Sequence, residues 1–283
     1  MKYPTVNPRT VLITGCSTGI GAATALYLKE RGWLVIPTAR QEADLENLRR
    51  TGFEPIAMDM ADADSVAQGA AEALARCDQR LGAVVNNAGY GQSGALEDLS
   101  RDHLRRQFEV NVLGLQDLTN RLVPAMRTQG YGRVVHISSV VGQVSIPFLG
   151  AYSASKFAVE ALADAQRVEL RGSGIAVAVV EPGPIITEFR RTAARRAAAT
   201  LDLDRSRNAA VYRAELERRE NHTRQPDFIN KTPLDVAIKI AHALEADRPR
   251  RRYLITLPAY IGYFMRRVAP YALIDAVLAR KAP

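Results

Sequence analysis

Apolar residues fall along the chain in two alternating kinds of segment. Runs of strand length, rich in Val and Ile and without strict apolar–polar alternation, occur at Thr10–Thr14, Trp33–Thr38, Ala83–Asn86, Arg133–Ser138, Ile175–Glu181 and Tyr253–Leu257, with a weaker one at Glu54–Met58. Unbroken runs of this length mark strands covered on both faces. Between them, Ile20–Arg31, Ala63–Cys77, Arg101–Thr128 and Ala151–Arg171 set Ala and Leu at three-to-four spacing among charged residues, the period of amphipathic helices. Strand and helix therefore alternate. Parallel strands joined by crossover helices predict an α/β fold, a Rossmann-like doubly wound parallel sheet of about seven strands with helices on both faces.

The texture changes after Glu181. Phe189–Arg224 is rich in Arg and Ala and poor in large apolar residues, so the segment from about 187 to 230 is expected to form a lid or substrate loop. The last stretch, about 254–283, joins the apolar run LPAYIGYFM to Arg266, Arg267, Arg280 and Lys281 and reads as an amphipathic extension. It can rest on a membrane surface, on its own domain or on a partner subunit. With 283 residues and 47% hydrophobic content the chain suits one domain, 1–283, around one large core.

A formal charge of +8 bears on steering and nonspecific adhesion more than on a task, and no nucleic-acid function is expected from it. Two cysteines, Cys16 and Cys77, are too few for a disulfide framework and read as free thiols of a reducing, cytoplasmic compartment. No secretory segment precedes the first strand, and no stretch reaches the roughly 18 apolar residues of a membrane span. His103, His136, His222 and His242 lack ligand spacing and no Cys cluster joins them, so no metal is expected.

The glycine-rich run Thr14-Gly15-Cys16-Ser17-Thr18-Gly19-Ile20-Gly21 follows a strand and opens a helix. Glycine lets backbone turn tightly and approach a pyrophosphate, and a helix N-terminus offers free N–H groups with a partial positive charge. At the end of the second strand, Thr38-Ala39-Arg40 lacks the acidic residue that would accept hydrogen bonds from an adenosine ribose. Arg40 could instead pair with a 2′-phosphate through its planar fork, so NADP(H) is the expected cofactor, with Ser17 a second phosphate contact. Tyr152 and Lys156 stand at i,i+4 on one helical face, and a cation beside a phenol lowers its pKa toward the range useful to a general acid or base. Asn111, inside an apolar helix, is a buried amide in need of partners.

TGxxxGIG at 14–21 and Asn86-Asn87-Ala88-Gly89 after the fourth strand resemble the glycine and NNAG motifs of the short-chain dehydrogenase/reductases, a resemblance that covers roughly residues 8–190. It implies an oxidoreductase with cofactor contacts at Gly15, Ser17, Thr18, Gly19, Ile20, Gly21, Asn87, Ala88, Gly89, Tyr152 and Lys156. It also assigns Asp59 to the adenine, although Asp59 suits helix capping before Ala61 as well. The family's catalytic Ser stands thirteen residues before its Tyr, which selects Ser139 over Ser138. Asn111 matches the residue that helps hold a water linking the lysine to solvent. Asn111, Ser139, Tyr152 and Lys156 are thus the implied catalytic set. Pro182-Gly183-Pro184-Ile185-Ile186-Thr187 resembles the segment PGxIxT that contacts the nicotinamide, through Pro182, Gly183, Ile185 and Thr187.

Gly91–Gly94, Val141–Leu149 and the segment after Thr187 are the expected pocket residues, and the apolar character of the middle group favours a small hydrophobic ketone, aldehyde or alcohol. VIPTAR, EPGPIITEF and the Arg-rich extension resemble the hydroxysteroid and retinol dehydrogenase branch, which implies a steroid-, retinoid- or other lipid-like substrate. The expected direction is reduction. The family pairs through its two long helices, here Arg101–Thr128 and Ala151–Arg171, which implies a homodimer or homotetramer. A non-catalytic NADP(H)-binding regulator and a peripheral membrane adaptor using the Arg-rich segments are the alternatives.

Overall fold

A computed structural model describes residues 2–221 and 229–279. Strands β1 (Thr10–Ile13), β2 (Leu34–Ala39), β3 (Ile56–Ala57), β4 (Ala83–Asn86), β5 (Gly132–Ile137), β6 (Ile175–Glu181) and β7 (Arg252–Leu254) form one sheet in the order β3-β2-β1-β4-β5-β6-β7, every neighbouring pair parallel. Helices α1 (Gly19–Glu30), α2 (Glu42–Arg50), α3 (Ala63–Arg76), α4 (Arg101–Phe108), α5 (Gly114–Gln129), α6 (Gly150–Glu169), α7 (Phe189–Thr200), α8 (Ala209–Asn221), α9 (Pro233–Glu245), α10 (Leu257–Val268) and α11 (Tyr271–Ala279) complete the chain.

Successive strand residues point to opposite faces. Val11, Ile13, Val85, Val135 and Ile137 meet Leu28, Leu45, Leu48, Val236 and Ile240 from α1, α2 and α9. Leu12, Val84, Val134, Val177 and Val179 meet Val66, Leu118, Leu122, Met126 and Ala163 from α3, α5 and α6. Strands β1, β2, β4, β5 and β6 feed both cores, which is why their sequences are almost continuously apolar. The strand order reverses between β1 and β4, and at such a reversal the carboxyl ends of the strands leave a crevice open to a ligand.

Four elements differ from the sequence reading. The long helix expected over Arg101–Thr128 is α4, one π-helical turn at Glu109–Leu113, and α5. The last strand is Arg252–Leu254, because Pro258 at the first turn of α10 starts a helix where the apolar run continues. Helices α2 and α9 supply part of one core, Leu45 and Leu48 from α2 and Val236, Ile240, Ala241, Ala243 and Leu244 from α9, although neither was among the predicted helices. The expected lid contains α7 and α8, and its residues 222–228, with His222 and Arg224, lie outside the described residues, as do Arg280 and Lys281. The amphipathic extension packs in part on its own domain and is in part exposed. Ala259 and Gly262 of α10 are buried, Gly262 against Val140, while Leu257, Tyr260, Ile261, Phe264 and Val268 face outward. Among the described residues no helix is long and apolar enough to cross a membrane.

Candidate active site

The β1–α1 turn is stitched to the end of β4. The Thr14 hydroxyl accepts the N–H groups of Asn87 (3.0 Å) and Ala88 (2.9 Å), and the Asn87 amide donates to the Thr14 and Gly15 carbonyls, both at 2.9 Å. Gly15 has φ +70°, and a Cβ there would stand 2.8 Å from Ala88 Cα; a Cβ on Gly21 would stand 2.2 Å from the Gly15 carbonyl oxygen. No side chain fits at either point, so the turn needs glycine. Thr18 precedes α1 in extended conformation without a side-chain capping bond, which leaves the first-turn amides of α1 facing the crevice. Thr187 closes the other side, its methyl 3.3 Å from where a Cβ of Gly19 would be. Gly15, Gly19, Gly21, Asn87, Ala88 and Thr187 are thus brought together around this turn, with Ser17, Thr18 and Ile20 in the same loop and helix start. Cys16 within the turn is structural: fully buried, its thiol donates to the Ile13 carbonyl and burial pushes it up to about 12.

Arg40 lies exposed at the end of β2, its guanidinium 3.8 Å from Asp59. Asp59 also accepts the Ala61 N–H at 3.0 Å, the local role the sequence left open, whereas α3 is capped by Asp62.

β5 ends at Ile137 and runs directly into Ser138 and Ser139, and α6 starts at Gly150, which puts Tyr152 and Lys156 on the face of α6 that turns to the sheet. The Ser139 hydroxyl donates to the Pro182 carbonyl at 3.4 Å and accepts the Val141 N–H at 3.3 Å; it also faces the Tyr152 phenol, where it favours the phenolate. Lys156 Nζ donates to the Ile137 carbonyl at 2.7 Å and stands 5.7 Å from the Tyr152 ring centre. Asn111 sits in the π turn, a device that re-aims a helical side chain and recurs at functional sites. Its amide is satisfied by structure: Oδ1 accepts the Tyr90 N–H at 3.0 Å, and Nδ2 donates to the Tyr90 carbonyl (3.0 Å) and the Ser155 hydroxyl (3.1 Å). Gly89 lies between Asn111 and Lys156, a Cβ there being 3.2 Å from Asn111 Oδ1 and 3.7 Å from Lys156 Nζ. The four residues are therefore gathered at one place, at the carboxyl edge of the sheet.

The electrostatics of this place differ from the expectation for Tyr152. Burial pushes its phenol up to about 12, with Ser139 and Arg190 pulling the other way. The lysine does not reverse this, because Nζ is held on the Ile137 carbonyl and burial pushes Lys156 itself down to about 8 against the opposing charge of Glu160. His136, beneath the site on β5, is kept neutral by burial, down to about 4, between Asn86 and Gln166.

The walls come from later segments. The Phe189 ring tilts over Tyr152 at 5.4 Å and reaches Gly91, so the Gly91–Gly94 segment and the start of α7 meet at the phenol. Arg196 of α7 stacks on the Tyr90 ring at 4.1 Å. Tyr212 of α8 receives the Ala95 N–H at 2.8 Å and donates to Asp98 at 2.5 Å, while Ser206 and Asn208 bind the same carboxylate. Asp98 is thus the anchor of the α7–α8 pair, and Ala197, Leu201 and Tyr212 pack with Leu99 and Ala151 beneath it. Pro182 accepts Ser139, Gly183 lies against Thr256, and Ile185 packs on the core face built by α1 and α9. Asp98 and Tyr212 escaped the sequence reading, and so did a buried charged group behind Lys156, formed by Glu160, Glu181 and Arg252. Only Glu160 carried a signal, its i,i+4 position after Lys156.

Residues 9–198 match the family described as short chain dehydrogenase. The chain is 37% identical over 96% of its length to an Escherichia coli (strain K12) protein called "Uncharacterized oxidoreductase YbbO", 95% of which is covered. It is 32% identical over 95% of its length to retinol dehydrogenase 16 of Mus musculus, 87% of which is covered. A Burkholderia phymatum short chain dehydrogenase/reductase, solved in complex with NAD, superposes with a TM-score of 0.77 at 25% identity, covering 98% of this chain and 96% of that one. The chain belongs to the short-chain dehydrogenase/reductase family, resembles its retinol dehydrogenase-like branch, and is an oxidoreductase of the kind that works with a nicotinamide cofactor.

Proposed function

We propose that the protein reduces a hydrophobic ketone or aldehyde to its alcohol with NADPH, Tyr152 donating the proton. The observation that carries this reading is the placement of the buried Tyr152 beside Ser139 and Lys156 and under Phe189. Its phenol lies in a dry corner under Phe189, between Ser139 and the Lys156 side of α6, and burial keeps it protonated through the physiological range. A group that keeps its proton until an oxyanion forms beside it is a general acid. Ser139 orients the carbonyl oxygen and stabilises the charge that develops there. Lys156, as an ammonium, stabilises the phenolate left after transfer, and Asn111 braces the Tyr90–Gly91 loop against α6.

NADPH, when bound, supplies the hydride. The β1–α1 turn would hold its pyrophosphate, Arg40 and Ser17 its 2′-phosphate, and the Pro182–Thr187 segment its nicotinamide. Phe189 and the backbone of Gly91 offer an apolar wall to the substrate, which favours a steroid-, retinoid- or other lipid-like compound over a sugar. The outward apolar face of α10, flanked by Arg266 and Arg267, suits contact with an anionic membrane surface from which such a substrate would be drawn.

The test is NADPH oxidation with a panel of apolar ketones and aldehydes. Tyr152→Phe is expected to lower kcat by about 10²- to 10⁴-fold, the usual worth of a positioned acid, with NADPH affinity by fluorescence titration unchanged. A fully active Tyr152→Phe enzyme removes the mechanism.

A further inference from the structure

Behind Lys156 lies a charged group that the proton transfer described above does not use. Arg252, the first residue of β7, donates through Nη1 to Glu160 and to Glu181 (2.9 Å) and through Nη2 to Asp164 (2.8 Å). Glu181 at the end of β6 is 0% exposed and Glu160 on α6 is 7% exposed. Besides Arg252, Ser138 bonds to Glu160 and Gln143 to Glu181. Taking several charges out of water is costly, and an apolar cluster of the same volume often serves a fold as well.

What the charged group faces is the lysine. Glu160 follows Lys156 by one helical turn and carries the charge that opposes the effect of burial on the ammonium. The other groups around Lys156 do not replace it. On β5, His136 is neutral and Ser138 is a hydroxyl; Asn111 in the π turn is uncharged; Tyr152 on α6 is a protonated phenol. Burial and the neighbouring Asp164 push Glu160 up, and burial together with Glu160 pushes Glu181 on β6 up to about 7, so Arg252 on β7 is the cation that opposes both shifts and favours a carboxylate on α6. Arg190 acts on Tyr152 from the chain entering α7.

We propose that Glu160, clamped by Arg252, is the counter-charge that keeps Lys156 an ammonium inside the dry site, which makes Glu160 and Arg252 positioning residues for the proton transfer. The inference rests on the reaction read above. Arg252, on the seventh strand, lies outside residues 9–198, the segment that the family model matches.

The test needs no substrate. The chain has six lysines, few enough that the Lys156 side-chain resonance in lysine-labelled protein can be assigned by its loss in Lys156→Arg. In Glu160→Gln, close to isosteric, its titration midpoint is expected to fall by about one pH unit, the size of effect an adjacent opposite charge exerts. Glu160→Asp restores most of the shift, and Arg252→Gln, which removes the cation, lowers the midpoint by letting Glu160 take up a proton. In kinetics, the alkaline limb of kcat for carbonyl reduction moves down with the midpoint in Glu160→Gln, about tenfold in kcat at pH 8.5, while KM for NADPH at pH 6.5 stays at the wild-type value. A Lys156 midpoint unchanged in folded Glu160→Gln overturns the inference whatever the activity. A moved midpoint in a protein that reduces none of the carbonyls leaves the charge-setting role standing and removes the reaction.

Discussion

Arg40 is held at present by a weak partner. Its ion pair with Asp59 spans 3.8 Å between two side chains that are each more than a third in solvent, an arrangement worth under about 1 kcal/mol, so a 2′-phosphate would displace it readily. A charge-assisted bond from the same guanidinium is worth about 1.5–3 kcal/mol. Arg40→Ala is accordingly expected to lower kcat/KM with NADPH by roughly ten- to a hundredfold and to leave kcat/KM with NADH near the wild-type value; equal losses with both cofactors would refute the NADP(H) preference. Single residues were legible in the sequence wherever a local spacing fixes geometry. Tyr152 and Lys156 share a helical face by period alone, and Gly15 and Gly21 mark the turn that excludes side chains. The ionisation of Tyr152 was not legible, because a sequence shows which charge is near but not how much water is lost. Burial is set by Phe189 and the Gly91 loop, which arrive from distant parts of the chain, and it outweighs the lysine.

Among elements, α9 shows how a clear signal goes unread when its surroundings look irregular. Thr232 and Asp235 form a reciprocal capping box with Pro233 at the first turn, and Val236, Ala237, Ile240, Ala241 and Leu244 follow at helical period. The Arg- and Ala-rich stretch before it and the tail after it masked this pattern. Ile240 is fully buried against Ile13 and Ile137's face of the sheet, so Ile240→Ala is expected to cost about 2–5 kcal/mol in urea denaturation, with Leu234→Ala, half exposed on the same helix, within about 0.5 kcal/mol. Similar costs at the two positions would show that α9 is not part of the core. The π turn at Glu109–Leu113 was beyond sequence reasoning altogether. An apolar helix reads the same with or without one extra residue in a turn, and only the three bonds of Asn111 to Tyr90 and Ser155 reveal why the wider turn is kept.

Across the whole molecule, polarity is arranged unevenly. Residues 248–274 hold six arginines and no acidic residue, and the exposed Phe264, Val268 (80%) and Tyr271 (75%) project beside them. Cosedimentation with vesicles containing anionic phospholipid is expected to retain the protein at low salt, to weaken several-fold as salt is raised, and to fail with Phe264→Glu. Retention that is indifferent to both salt and Phe264→Glu would argue against membrane contact through α10. The order of the sheet also has a temporal side. Val135, Ile137, Ala178 and Val180 belong to strands completed by Glu181, yet the helix that covers them ends only at Glu245. At about 5–20 residues per second of synthesis, a growing chain carries that bare sheet face for several seconds before its cover leaves the ribosome. During this interval the nascent protein is a client for holding chaperones, and truncation anywhere before α9 leaves a sticky fragment in place of a smaller enzyme.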